Sequence, residues 1–281
     1  MNEYLMTQRD ITAFARYLHT EERSAGTIEK YLRDVRAFAC WMEGRAVVKE
    51  DAALWKAHLL GLGYAPVTIN SMLAAVNSFF RFKGWEGVRV KFLKVQRRMF
   101  REAGRELSRD DYGRLLDTAR KRGQERLALL MEAICGTGVR VSEVRYLTVE
   151  AALEGRAEVA LKGKIRVILL PEKLCRKLLK YAKKQKIASG EIFLTGSGKG
   201  LSRRQIWAEM KRLCNHAGVE PSKVFPHNLR HLFAATFYRA CRDIAHLADV
   251  LGHSSMETTR IYLLATGTEQ REQLDRLGLI C

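Results

Sequence analysis

Through its first ninety residues the chain repeats apolar side chains at the spacing of an α-helix, and this leaves little room for any other fold there. Ile11, Phe14, Ala15 and Leu18 fall at i, i+3, i+4 and i+7, positions that gather on one stripe of a 3.6-residue helix. Thr27 can cap the free N–H groups of a second helix that presents Tyr31, Val35, Phe38 and Met42 on one side. A third helix is expected over 51–61. A fourth, after Pro66, gathers Ile69, Met72, Leu73, Val76 and Phe80 before the chain reaches Gly84 and Gly87. Short amphipathic helices bury their stripes only against one another, so residues 1–94 are expected to form a small helical domain.

The segment KFLKVQRRMFREAGRELSRDD then crowds Lys91, Lys94, Arg97, Arg98, Arg101 and Arg105 with little apolar periodicity, and a basic linker is placed at 95–106. From Ser108, a plausible cap, helical spacing returns, and Leu127 to Ile134 read as a buried helix leading into Gly136-Thr137-Gly138. The middle changes character. Residues 158–161 and 165–170 are short β-prone runs, with Lys162-Gly163-Lys164 as the hairpin tip. Helices are expected again at about 172–187, 202–217, 227–241, 243–251 and 255–264. The fold class is therefore mainly α with a small antiparallel sheet, in two domains, 1–94 and 107–281.

Charge narrows the class of partner. The 281 residues carry 49 Lys and Arg against 31 Asp and Glu, a net +18. Residues 1–94 hold 14 basic and 10 acidic side chains, and residues 95–281 hold 35 and 21. Polyanions, nucleic acid first among them, are the natural partners of such a surface. Hydrophobic residues make up 47% and prolines number 4, which excludes a low-complexity or collagen-like chain. No apolar run approaches the roughly 20 residues of a membrane span. The start, MNEYLMTQRD, lacks a basic segment followed by an apolar run. Six cysteines without CxxC spacing are expected as free thiols in a reducing, cytoplasmic setting.

Two glycine-rich stretches do not carry nucleotide chemistry. FLTGSGKGLS has Phe193 and Gly200 where a phosphate loop needs Gly and Ser or Thr, and CGTGVR lacks the third glycine of a dinucleotide fingerprint. Each reads as a turn before a helix. His227 and His231, four apart, could share a helix face as metal ligands, but no acidic third ligand accompanies them. No metal and no cofactor are expected, and His231 reads as a capping or hydrogen-bonded structural histidine. The informative region is the C-terminal third, where four of the seven histidines lie between 227 and 253.

Three segments in order resemble the tyrosine recombinase family, which includes phage integrases and chromosome-dimer resolvases: GTGVRVSEVRYLTVE, HNLRH and LGHSSMETTRIY. Arg230 and His253 are 23 residues apart, and Tyr262 follows 9 later. In the first domain, SAGTIEKYLRDVRAF is similar to the start of that family's helical core-binding, SAM-like domain. The resemblance covers nearly the whole chain. Carried over residue by residue, it implies an active site of Arg140, Lys162, His227, Arg230, His253 and Tyr262, with Tyr262 the nucleophile. LKGKIRVILLP has Leu161 where the family commonly has Gly and is one residue shorter, so Lys164 stands as an alternative to Lys162.

The chemistry of these residue types agrees with the implied roles. A phosphodiester is anionic and resists a second anion, so Arg140 and Arg230 would offset the charge that builds on its non-bridging oxygens. A phenol is a poor nucleophile at neutral pH unless a base such as His227 takes its proton. His253 would donate to a phosphate oxygen and help place the tyrosine. The leaving 5′ oxygen needs a proton, which a hairpin lysine can give. Glu143, three residues after Arg140, could hold that guanidinium. Tyr238 reads as core, and Tyr146 lies too near the arginine motif to reach the same phosphate.

The resemblance implies a site-specific enzyme for DNA integration, excision or resolution that cleaves and rejoins strands through a 3′-phosphotyrosyl ester. Its partners would be double-stranded DNA with inverted half-sites, a homo-tetramer in the synaptic complex, and accessory directionality proteins. The polar tail after Tyr262, with Leu274 and Leu277, would suit a short helix docking onto a neighbour. The rival readings are a type IB topoisomerase-like relaxing enzyme, a non-catalytic DNA-binding protein of the same fold, and a phosphodiesterase acting on small substrates.

Overall fold

The computed structural model describes residues 4–95, 104, 106–161, 164–253, 255–262 and 267–278. The chain divides into two units, Met1–Arg97 and Arg98–Cys281.

In the first unit, α1 (Gln8–Thr20) starts on a reciprocal cap. The Thr7 hydroxyl accepts from the Asp10 N–H and the Asp10 carboxylate accepts from the Thr7 N–H. Helix α2 (Ala25–Met42) begins earlier than its sequence suggests. Its cap position is Ser24, not Thr27, and the two hydroxyls lie 2.8 Å apart. Extended backbone at Ser24 lets the helix run from Ala25 through Gly26, whose lack of a side chain is tolerated there. Helices α3 (Asp51–Gly61) and α4 (Pro66–Phe82) complete the module. Phe14, Leu18, Val35, Phe38, Met42, Trp55, Leu73, Val76 and Phe80 fill its core, with Phe38 edge-on to Trp55 at 5.0 Å.

Two asparagines on α4 then fix the exit of the chain. Asn77 exchanges both amide hydrogen bonds with the Val90 backbone, and Asn70 does the same with Leu93. Each side chain acts as a short piece of strand. This satisfies backbone groups in a stretch that has no apolar periodicity of its own.

The second unit opens with α5 (Arg109–Lys121), capped by Ser108 in another reciprocal pair with Asp111. Next come α6 (Glu125–Thr137), a 3₁₀ segment Val141–Tyr146, and a short α7 (Val149–Glu154) that apolar spacing alone does not reveal. Strands β1 (Arg156–Leu161) and β2 (Lys164–Leu169) pair antiparallel, Arg156 facing Leu169 and Leu161 facing Lys164. Lys164 is therefore part of the ladder rather than of the three-residue tip expected, and Lys162 and Gly163 lie outside the described residues. Leu170 leaves the sheet, its N–H donating to the Gly155 carbonyl.

Helices α8 (Glu172–Lys184), α9 (Arg203–Ala217), α10 (Pro226–Cys241), α11 (Ile244–Leu251), α12 (Met256–Arg260) and α13 (Gly267–Asp275) follow. Helix α12 is shorter than the expected 255–264, and Tyr262 sits in the turn after it. A core of α5, α6, α8 and α9 side chains, including Leu115, Leu130, Leu178, Ile206 and Met210, is continuous with Val159 and Ile168 of the hairpin. A smaller cluster joins Ala234 of α10, Leu247 and Leu251 of α11, and Tyr262. Before α9, Thr195 to Gly200 form a tight turn in which the Thr195 N–H donates to the Lys199 carbonyl. Leu274 and Leu277 of the tail are exposed. Among the described residues no helix is long and apolar enough to cross a membrane, and the described cysteines are free.

Candidate active site

The last carbonyls of a helix have no intrahelical partner and carry the negative end of its dipole. At the end of α11 three successive carbonyls are met by three guanidiniums. Arg166 Nη1 donates to Val250 O at 3.1 Å, Arg230 Nη2 to Leu251 O at 2.7 Å, and Arg140 Nη2 to Gly252 O at 3.0 Å. The arginines come from the end of α6, from β2 and from α10, so the chain draws three distant segments onto one helix terminus. Gly252 makes this possible. Its φ is +62°, and a Cβ there would lie 2.5 Å from Arg166 Cδ.

Arg140 is held on its other side by Glu143, which accepts from its Nη1 at 2.9 Å and from its backbone N–H at 2.9 Å. The second Glu143 oxygen also takes Arg166 Nη2 at 2.6 Å. Burial acts to raise the Glu143 carboxyl, but the donors from Arg140 and the charge of Arg166 outweigh it, and its pKa lies below the usual carboxylate value. Glu143 is thus an anion at neutral pH, shared by two cations.

Arg230 is buried in α10. Its Nη1 donates to Gly138 O, and the Tyr262 phenol lies near enough to its guanidinium to favour the charged form. Burial and the charge of Arg140 lower its pKa to about 10, so it keeps its proton at neutral pH. Arg230 Nη2 lies 2.9 Å from His253 Nε2, and His253 Nδ1 lies 2.8 Å from Thr259 Oγ1. A guanidinium has only donors. His253 Nε2 therefore accepts, and its proton sits on Nδ1, donated to Thr259. Burial, with Arg230, Arg140 and Arg166 nearby, lowers the His253 pKa to about 4.

Tyr262 is 3% exposed and ringed by imidazoles. The His231 ring meets it edge-on at 4.9 Å, His253 is stacked at 5.7 Å and 11°, and His227 lies at 5.9 Å. His227 keeps an exposed edge and stacks on Phe225. Burial of the rest of the ring, then His231 and Arg230, lower its pKa below the usual imidazole value, which leaves it able to accept a proton at pH 7. Glu106 approaches the Nε2 of His231 at 3.5 Å.

The structure thus brings Arg140, His227, Arg230, His253 and Tyr262 to one place. Lys162 lies outside the described residues, and of Lys164 only the strand position is described. Tyr146 is elsewhere, its hydroxyl donating to Ala160 O at 2.6 Å, and Tyr238 packs beside the α10–α11 cluster. Sequence reasoning missed Arg166 and Thr259. Among the described residues no group of three His, Cys, Asp or Glu side chains is placed to hold a metal.

The arrangement is a cluster of three guanidiniums and one carboxylate with Arg230 beside a buried phenol, which suits transfer of an anionic group to that phenol. Residues 105–268 match the Phage integrase family and residues 11–87 the Phage integrase N-terminal SAM-like domain. The chain belongs to this family, the tyrosine recombinases. It is 32% identical over 282 residues to tyrosine recombinase XerA of Thermococcus kodakarensis, covering 96% of this chain and 95% of that protein. With tyrosine recombinase XerC of Roseiflexus castenholzii it shares 31% over 280 residues, 90% of this chain and 87% of the relative. The fold is also that of a lambda integrase tetramer bound to a Holliday junction, with a TM-score of 0.75 at 17% identity over 93% of this chain and 78% of that one. A Tn1549 transposon integrase in complex with transposon right end DNA gives 0.70 at 16%, over 96% and 99%. These relatives are recombinases and integrases, and the relaxing-enzyme reading is not favoured.

Proposed function

We propose that the protein is a site-specific recombinase that breaks one strand of duplex DNA with Tyr262 and holds the broken end as a 3′-phosphotyrosyl ester. Arg140 and Arg230 give their remaining N–H groups to the non-bridging oxygens of the scissile phosphate and neutralise the charge of the pentavalent transition state. His227 takes the phenol proton as the Tyr262 oxygen bonds to phosphorus. The bond from phosphorus to the 5′ oxygen breaks, and that oxygen takes a proton from Lys162, or from Lys164 in its place. His253, released by Arg230, moves its proton from Nδ1 to Nε2, with the Thr259 hydroxyl then donating to Nδ1, and donates the Nε2 proton to a phosphate oxygen. The ester retains the bond energy, so a 5′-hydroxyl from a partner strand reverses the reaction without ATP.

The observation that carries this reading is the placement of Arg230 beside the Tyr262 phenol and in contact with His253, in a cluster of three guanidiniums of which Arg140 and Arg166 share the Glu143 carboxylate. A cation beside the phenol favours the negative charge that develops there as the proton leaves. Four copies on two duplexes with inverted half-sites, the tail of each docked on a neighbour, complete the proposal. Accessory proteins would set direction, and the reaction would run in the cytoplasm beside the chromosome.

The test is covalent capture on a duplex nicked next to the scissile phosphate. The wild-type protein should become DNA-linked, with the nucleotide remnant on Tyr262 after digestion and mass spectrometry. Tyr262→Phe should bind the same duplex and form no adduct. An adduct that survives this substitution would overturn the assignment.

A further inference from the structure

We propose that Arg166 is a positioning residue of the same reaction, one that fixes the phosphate grip of Arg140 without touching the phosphate itself. The inference rests on the reading of Arg140 as a phosphate-neutralising cation.

The register of the hairpin makes Arg166 unusual. It pairs with Val159, on the face of the sheet where Val159 is 1% and Ile168 3% exposed. Ile165, Val167 and Leu169 point the other way and are 78%, 50% and 76% exposed. The strand therefore turns a guanidinium inward and three aliphatic side chains outward, opposite to what burial of apolar surface favours. The cost is visible at Arg166 Nε, a buried donor without an acceptor among the described residues. Burial also lowers the pKa of the Arg166 guanidinium, against the pull of Glu143.

What offsets this cost is a pair of contacts that lead to Arg140. Arg140 has two side-chain anchors, Glu143 Oε1 and Gly252 O. Arg166 bonds the first, at Glu143 Oε2, and lies directly against the second, in the space a Gly252 Cβ would fill. Its Nη1 also holds Val250 O, two residues before Gly252. Without Arg166, Glu143 loses one of its two cations and can turn, while the chain at Gly252 loses the side chain it rests on. Both anchors then loosen, and Arg140 with them.

The experiment is single-turnover cleavage of the nicked duplex by the full-length wild type, Arg140→Ala, Arg166→Ala and Arg166→Lys. The scissile group is either the natural phosphate or a methylphosphonate, whose methyl group replaces a charged oxygen. Arg166→Ala should lose about 10- to 100-fold on the phosphate, the range expected when a catalytic group is misplaced by an ångström or so. The gap to wild type should shrink at least tenfold on the neutral methylphosphonate, where a misplaced cation matters less. Arg166→Lys should fall between, because one ammonium does not hold Glu143 and Val250 O together as a planar fork does. It also keeps the charge, should Arg166→Ala fold poorly. An equal deficit of the Arg166 variants on both substrates would show a merely structural part for Arg166 and overturn the proposal, as would no deficit on either. If Arg140→Ala itself shows no relief on the methylphosphonate, the reading of Arg140 fails first and takes this inference with it.

Discussion

Arg230 Nη2 donates to His253 Nε2 across 2.9 Å, and this contact sets the tautomer of the imidazole. A protonated His253 would aim an N–H at a guanidinium that has none but donors to offer. Burial first, then the charge of Arg230 and those of Arg140, Arg166 and His227, lower its pKa to about 4.

Stability should therefore fall with pH in a defined window. Above about 6.5, the ordinary imidazole value, His253 is neutral in both folded and unfolded chains. As pH drops toward 4 the unfolded chain binds about one proton that the folded protein refuses, and stability is lost progressively through that range. His227 is shifted in the same direction and adds to the loss. Denaturant unfolding from pH 7 to pH 4 should show a shallower decline for His253→Gln than for wild type.

Thr259 is fully buried and receives the His253 Nδ1 proton. Thr259→Val keeps the shape and removes the acceptor, leaving a buried N–H unpaired at a cost of about 1–3 kcal/mol. The melting temperature and the cleavage rate should both drop. Thr259→Ser, which retains the hydroxyl, should recover most of the rate.

Gly252→Ala should be more damaging than an added methyl group suggests. The backbone there is left-handed, and the new Cβ would meet Arg166 at Cδ and Nη1. Strain of this kind costs about 1–3 kcal/mol. Thermal unfolding should show it, with slower adduct formation because Arg140 loses its seat on Gly252 O. Gly84, also at positive φ but with open space around it, serves as the control: Gly84→Ala should slow no chemistry.

The +18 charge predicts how binding responds to salt. Each phosphate neutralised by a Lys or Arg releases counterions, so a plot of log affinity against log salt should fall with a slope of about 0.9 per contact. Filter binding or anisotropy between low and moderate salt measures it, and a slope below about 3 would contradict a protein that grips the duplex along its length.

Much of this architecture was legible in the sequence because helices announce themselves by period. Ile11, Phe14 and Leu18 are buried where their spacing put them, and Ser108 caps α5. The motif residues Arg140, Arg230, His253 and Tyr262 converge although up to 122 positions separate them in the sequence. Period failed where an ion pair overrules it. On β2 the alternation of Ile165, Val167 and Leu169 argues for burial of those three, and the Glu143 carboxylate reverses the strand by drawing Arg166 inside. Helix α12 ends early because Thr259 and Tyr262 both turn inward to His253, a tertiary demand that no local spacing encodes. Ser24 rather than Thr27 stands at the start of α2, its hydroxyl turned to Thr27 Oγ1 instead of a helix N–H, and only the path of the incoming chain decides where the helix begins.

The end of α11 has a consequence for readiness. Arg140, Arg166 and Arg230 would repel one another were each not held by an acceptor. The carbonyls of Val250, Leu251 and Gly252, together with the Glu143 carboxylate, keep the three at fixed spacing. A phosphate meeting Arg140 and Arg230 there finds both side chains already placed, so much of the ordering that the reaction needs comes with folding itself.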